Sequence, residues 1–251
     1  MKIVLTPDWF LGKDILIDSF SLIVLIIFSV LAIRSYKLNK KNRNLLYLGT
    51  GFGLIALAQM ACIFTKLILY YDIGPAQAIG QAIIIGQFLS SVNIFYYIGF
   101  FFHNFLILVG FYIIYRLPQK KMYIGDYALV LYFILLSAIL SVYEGFFYFF
   151  SITACVLLVL IVNNYYRIYK ENRFVNTKIL IIAFSILAFA QLVYVLSKVG
   201  ILFAVANIIE LISYVILLFL IIRILKYGEK KKPHGYNIRY ADNRSGKKRG
   251  H

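Results

Sequence analysis

The sequence predicts an all-α, polytopic membrane protein with seven transmembrane helices, its N-terminus outside and its C-terminus in the cytoplasm. Three observations lead there. First, 62% of the 251 residues are hydrophobic and only 14% are charged, and the mean hydropathy is +0.84. A soluble domain would be roughly a quarter charged, so the excess apolar surface needs lipid. Second, seven apolar runs, near 15–34, 45–70, 93–116, 123–143, 146–167, 177–198 and 201–225, each reach the roughly 20 residues that a helix needs to cross a hydrocarbon core. Third, the basic residues crowd into every second gap between those runs.

Residues 1–14 read as a short extracytoplasmic segment. Trp9 and Phe10, followed by Gly12-Lys13-Asp14, suit the headgroup level, where aromatic rings anchor. The membrane domain covers 15–228. Its first gap holds Arg34, Lys37, Lys40, Lys41 and Arg43, and this charge follows the first run. That run therefore reads as a retained helix rather than a cleaved signal peptide. The second gap has no Lys or Arg between Tyr71 and Asn93. Its segment 73–92, with Gln77 and Gln81 on one helical face, reads as an outer interfacial helix or loop, or as an outward extension of the third span.

Arg116, Lys120 and Lys121 fill the third gap, and Glu144 alone marks the fourth. Arg167, Lys170, Arg173 and Lys178 fill the fifth, and Lys198 alone marks the sixth. Only Lys2, Lys13, Lys66 and Lys198 of the 26 basic residues fall on one side, which the positive-inside rule makes the outside. Residues 229–251 read as a basic, disordered cytoplasmic tail attracted to anionic lipid headgroups. Nucleic acid is disfavoured as its partner, because cytoplasmic flanks are commonly basic without one. The runs are continuous, as at Leu22 to Phe28, and do not alternate as barrel strands would.

Two spans share a pattern. The second contains Ala56-Leu-Ala-Gln59, five residues, then Thr65-Lys66. The sixth contains Ala188-Phe-Ala-Gln191, five residues, then Ser197-Lys198. Gln and Lys are costly near a membrane, so their shared placement carries the match. It implies spans 1–3 repeated as spans 5–7, with span 4 restoring the parallel orientation. This 3+1+3 layout is similar in topology to the SWEET sugar transporters. That family carries a Pro-Gln pair at the cytoplasmic end of the first span of each half. Here Pro118-Gln119 follows the third span and is not repeated, so no family is assigned.

Polar residues at membrane depth are the candidate sites. Glu210 lies near the middle of span 7, with Asn207 and Ser213 three residues either side. His103 lies near the middle of span 3. Aligning Arg116 with Arg223 sets His103 in register with Glu210, and such a pair could carry or sense a proton. Gln59 and Gln191 sit near mid-membrane. Lys66 and Lys198 lie two turns further out, where they are expected to snorkel to the headgroups or to flank a cavity that attracts an anion. Asp18 and Ser21 could pair with either lysine. Asp126 reads as a cap or headgroup contact. Gly49, Gly51 and Gly53 would allow bending or close packing of span 2. Cys62 and Cys155 read as packing residues, since neither belongs to a metal-ligand spacing or disulfide framework.

No lysine lies deep in span 7, which argues against retinal. Enzyme motifs are absent, and no cofactor or metal is expected. The expected function is that of a non-enzymatic receptor-like or scaffold protein of the cell membrane. It would bind a lipid or small ligand in an outward-facing polar layer and act through a partner protein or as a homo-oligomer. The alternative is a small-solute transporter built from two three-helix repeats, and a third reading is an intramembrane enzyme using His103 and Glu210.

Overall fold

The structure, a computed structural model, describes residues 8–10, 12–38, 40, 43–71, 82–117, 124–142, 147–196 and 200–229. All regular structure among them is helical. A short 3-10 turn, Asp8–Phe10, precedes α1 (Lys13–Leu38), α2 (Arg43–Tyr71), α3 (Ala82–Arg116), α4 (Ile124–Val142), α5 (Phe147–Asn172), α6 (Val175–Val195) and α7 (Gly200–Glu229). Each apolar run thus becomes one helix, because no other conformation satisfies backbone polar groups locally within lipid. Six of these helices are long and apolar enough to cross a membrane, and α4 is a shorter apolar helix. At 1.5 Å per residue its 19 residues still rise about 28 Å. The protein is accordingly a multi-pass membrane protein. Residues 73–81, Lys198 and the tail beyond 229 lie outside the described residues, and α3 runs unbroken from Ala82.

Helix ends follow local chemistry. Gly12 has φ +83°, a conformation that costs glycine little. Its N–H is accepted by Asp14 Oδ1 at 3.1 Å, and its carbonyl accepts the N–H of Leu16, which closes the first turn of α1. Arg173 adopts the left-handed region (φ 49°), and its N–H donates to Tyr169 O at 2.7 Å. This left-handed stop ends α5 and lets α6 begin two residues later.

The helices form a closed ring in the order α1, α2, α3, α5, α6, α7, with α7 returning to α1. α4 lies outside the ring and runs back along α3. Arg116 pairs with Asp126 at 2.7 Å near its start, and Tyr112 meets Phe133 edge-on further along. Asp126 is therefore held by an arginine on the neighbouring helix.

Small residues bring α2 close to its neighbours. Ser29 Oγ donates to Gly49 O at 2.7 Å. A Cβ at Gly51 would stand 3.1 Å from Gly110 O, and one at Gly110 would stand 2.9 Å from Gly51 O. The glycines of α2 thus serve close packing. An aromatic column crosses the interior. Phe28 meets Phe52 at 4.4 Å, Phe52 stacks on Phe184 at 6.1 Å and 10°, and Phe184 stacks on Tyr165 at 6.1 Å. The column joins α1, α2, α6 and α5. Ile23, Leu57, Phe189, Val215 and Phe219 point outward and exposed, as expected of a surface whose solvent is lipid.

Candidate functional site

Asp14 and Asp18 are four residues apart, so α1 presents both on one face. On α2, Gln59, Cys62 and Lys66 follow at three- and four-residue steps and form a facing stripe. Where the stripes meet, Lys66 Nζ lies 3.0 Å from Asp14 Oδ2 and 2.6 Å from Asp18 Oδ2. Asp14 is fully buried, and Asp18 and Lys66 nearly so. Cys62 Sγ lies 3.9 Å from the same Asp18 oxygen. Lys66 is therefore engaged by two carboxylates of α1. Two carboxylates within reach neutralise its charge, which is the less costly arrangement once their side chains are desolvated. It also gives little support to an anion-attracting role for this lysine. The expected pairing of Asp18 with a lysine is present, whereas Ser21 Oγ donates to its own helix at Ile17 O.

A second cluster adjoins the first. Glu210 on α7 accepts a hydrogen bond from Tyr214, one turn along the same helix, at 3.0 Å. It accepts another from Tyr194 on α6, also at 3.0 Å. The Tyr194 ring packs edge-on against Phe203 of α7. The Gln59 amide interacts with the Tyr214 phenol, and the Asp18 and Glu210 carboxylates lie within electrostatic reach of each other. Side chains from α1, α2, α6 and α7 thus form one buried polar network. Gln59 Oε1 is buried in it without a hydrogen-bond partner.

The other candidates lie around this network with separate partners. His103 Nδ1 donates to Ala58 O at 3.0 Å, and its ring sits near Phe100 and Phe150. Its hydrogen bond goes to α2, whereas the bonds of Glu210 come from two tyrosines. Asn207 Nδ2 donates to Phe203 O of its own helix at 2.9 Å, and Ser213 Oγ donates to Ala183 O on α6 at 2.9 Å. Gln191 is buried with its Oε1 unpartnered, as is Asn104 with its Oδ1. Lys198 lies outside the described residues.

Asp14, Tyr194 and Tyr214 were not among the sequence candidates. The spacing of Asp14 to Asp18 and of Glu210 to Tyr214 was a readable signal, since both are one helical turn. Tyr194 carried none, because its role needs α6 beside α7.

At the opposite end of the bundle, near the starts of α2 and α6, is a cavity of about 820 Å³, with Asn44, Leu48, Leu117, Tyr165, Thr177 and Arg223 among its lining residues. Among the described residues no group of three or more His, Cys, Asp and Glu could hold a metal ion. No protein-family model matches the sequence, and no curated protein or solved structure is significantly similar to it.

Proposed function

We propose that this chain is a seven-span, receptor-like unit of the cell membrane, oriented N-terminus out, that binds a small polar ligand at the α1/α2/α6/α7 junction. It passes on the bound state through a protein partner or a second copy of itself, with its basic loops and tail on anionic lipid. The observation that carries this reading is the buried network of Glu210, Tyr194, Tyr214 and Gln59 beside the Asp18–Lys66 pair. Ionisable groups at membrane depth are expensive and are functional-site candidates by default. The orientation read from the charge alternation supports a position of the network in the outer half.

The proposal includes a duplication of the three-helix unit, with α1–α3 matching α5–α7. The ring order is unchanged when the two triplets are exchanged. The register that aligns Gln59 with Gln191 also aligns Phe52 with Phe184, and these two rings stack on each other. Equivalent residues meet each other in this way on a two-fold axis. The close approach of Gly110 to Gly51 O has its counterpart in Ser213, which bonds Ala183 O. This contact aligns Asn104 with Asn207 instead of Arg116 with Arg223. His103 then corresponds to Ala206, and Glu210 to Ile107, so the network belongs to the axis region without being repeated.

A transporter is the second reading, favoured by the cavity at the opposite end and the Phe52–Phe184 stack between it and the polar network. One pair of assays separates the two. A thermal-stability screen of the purified protein against polar solutes and lipid headgroups should find a stabilising ligand whose effect is lost in Glu210→Gln. In proteoliposomes a receptor gives no flux of that ligand, and a transporter gives flux that Glu210→Gln abolishes. If no ligand stabilises the wild type, the binding role fails.

A further inference from the structure

We infer that the ligand recognised at the α1/α2/α7 junction is a small monovalent cation, either an alkali ion or a protonated amine. This deepens the binding role proposed above and rests on it. Two features of the network point to it, and they are independent.

The first is charge. Asp14 and Asp18 hold one ammonium, Lys66, at 3.0 and 2.6 Å, and Glu210 lies within electrostatic reach of Asp18 and Lys66. Even with Asp14 set aside, Asp18 and Glu210 share that single cation among the described residues. Lys66 Nζ is committed to the α1 side at 2.6 Å from Asp18. Glu210 is served by two neutral phenols, which supply hydrogen bonds and no positive charge. A buried uncompensated carboxylate is among the costliest groups in a protein interior, and more so in lipid. Besides the Cys62 thiol, His103 is a titratable side chain within electrostatic reach of Asp18. Its Nδ1 is fixed on Ala58 O at the α3 side of α2.

The second is the unpartnered amide. Gln59 is only 4% exposed, and its Oε1 has no hydrogen-bond partner. The rest of its amide faces Tyr214, which is itself bonded to Glu210. Buried acceptors without donors are rare in folded proteins. Gln59 and Glu210 thus share Tyr214 as a neighbour; an amide carbonyl together with a carboxylate is a hard oxygen set that favours alkali ions, and a protonated amine would donate N–H to the same atoms. A neutral ligand would leave the charge uncorrected. An anion would add to it.

The test uses full-length protein in detergent and in nanodiscs at constant ionic strength. Thermal midpoints are compared in sodium, potassium, methylammonium and N-methyl-D-glucamine chlorides, the last being too large to enter. The expected result is a midpoint several degrees higher in one or more of the small cations, with saturation. Stabilisation by sodium or potassium alone identifies an alkali site, and by methylammonium alone an amine site. The shift should disappear in Glu210→Gln and in Gln59→Leu. If either variant fails to fold, direct binding of radiolabelled sodium or methylammonium to the wild type replaces that arm.

Equal midpoints in all four salts, with no saturable binding of either label, overturn the inference, because the excess charge is then removed by protonation. If a neutral or anionic solute still stabilises the wild type through Glu210, the binding role survives and only its cation chemistry is lost.

Discussion

Replacing Lys66 by Met removes the ammonium that pairs with Asp14 and Asp18 between α1 and α2 while keeping most of the side-chain volume. In the wild type its Nζ sits 3.0 Å from Asp14 and 2.6 Å from Asp18, and none of the three side chains is more than 12% exposed. Breaking a buried pair by deleting one partner costs about 3–5 kcal/mol, mostly as the penalty of the stranded charge. Here the Asp18 carboxylate is stranded, so that range applies. At about 2–4 °C per kcal/mol for a chain of this size, the midpoint should fall by on the order of 10 °C.

The two free cysteines provide the assay. Cys62 is buried and Cys155 partly so, and a thiol-reactive fluorophore reports their exposure on heating. The decisive comparison is the triple variant Lys66→Met, Asp14→Asn, Asp18→Asn. It removes all three charges together and should recover most of the loss, because isosteric neutral replacement of a buried ion pair is often nearly neutral. A Lys66→Met protein within about 2 °C of wild type, or a triple variant no more stable than the single, would refute the reasoning. The former outcome would mean that the ammonium normally lies among the headgroups.

Gly110→Ala should destabilise by about 1–3 kcal/mol, read by the same thiol assay, because its Cβ would meet backbone at Gly51 O and the Ile55 side chain. At the α6–α7 contact, Ser213→Ala forfeits only the hydrogen bond to Ala183 O, about 1 kcal/mol. Equal effects at the two positions would count against close α2–α3 packing. Phe52→Cys with Phe184→Cys, in a background lacking Cys62 and Cys155, should cross-link with a short bifunctional reagent within one monomer. Failure to do so would remove the two-fold axis from the centre of the bundle.

The network could be read in part from single helices. Asp14 and Asp18 share a face by spacing, as do Gln59, Cys62 and Lys66, and each polar residue stood out against its apolar run. What could not be read was which stripe would meet which. Lys66 looked like a snorkelling cation because nothing in its own helix neutralises it, and its partners lie 48 and 52 positions away in the chain. Glu210 looked like a partner for His103 because both are ionisable and deep. The tyrosines that bond it were hidden among the chain's 21, most of which mark nothing.

The sequence by itself determined the class of solvent, the helices and the residues too polar for lipid. Those properties depend on composition and on contacts within one or two helical turns. Tertiary structure alone decided the ring order, the place of α4 outside it, the Phe52–Phe184 stack and the neutralisation of Lys66. In a chain this uniformly apolar, helix faces differ little in hydrophobicity. Their pairing is set by small-residue contacts such as Gly51 with Gly110 and by a few buried charges, and those act only once the helices are side by side.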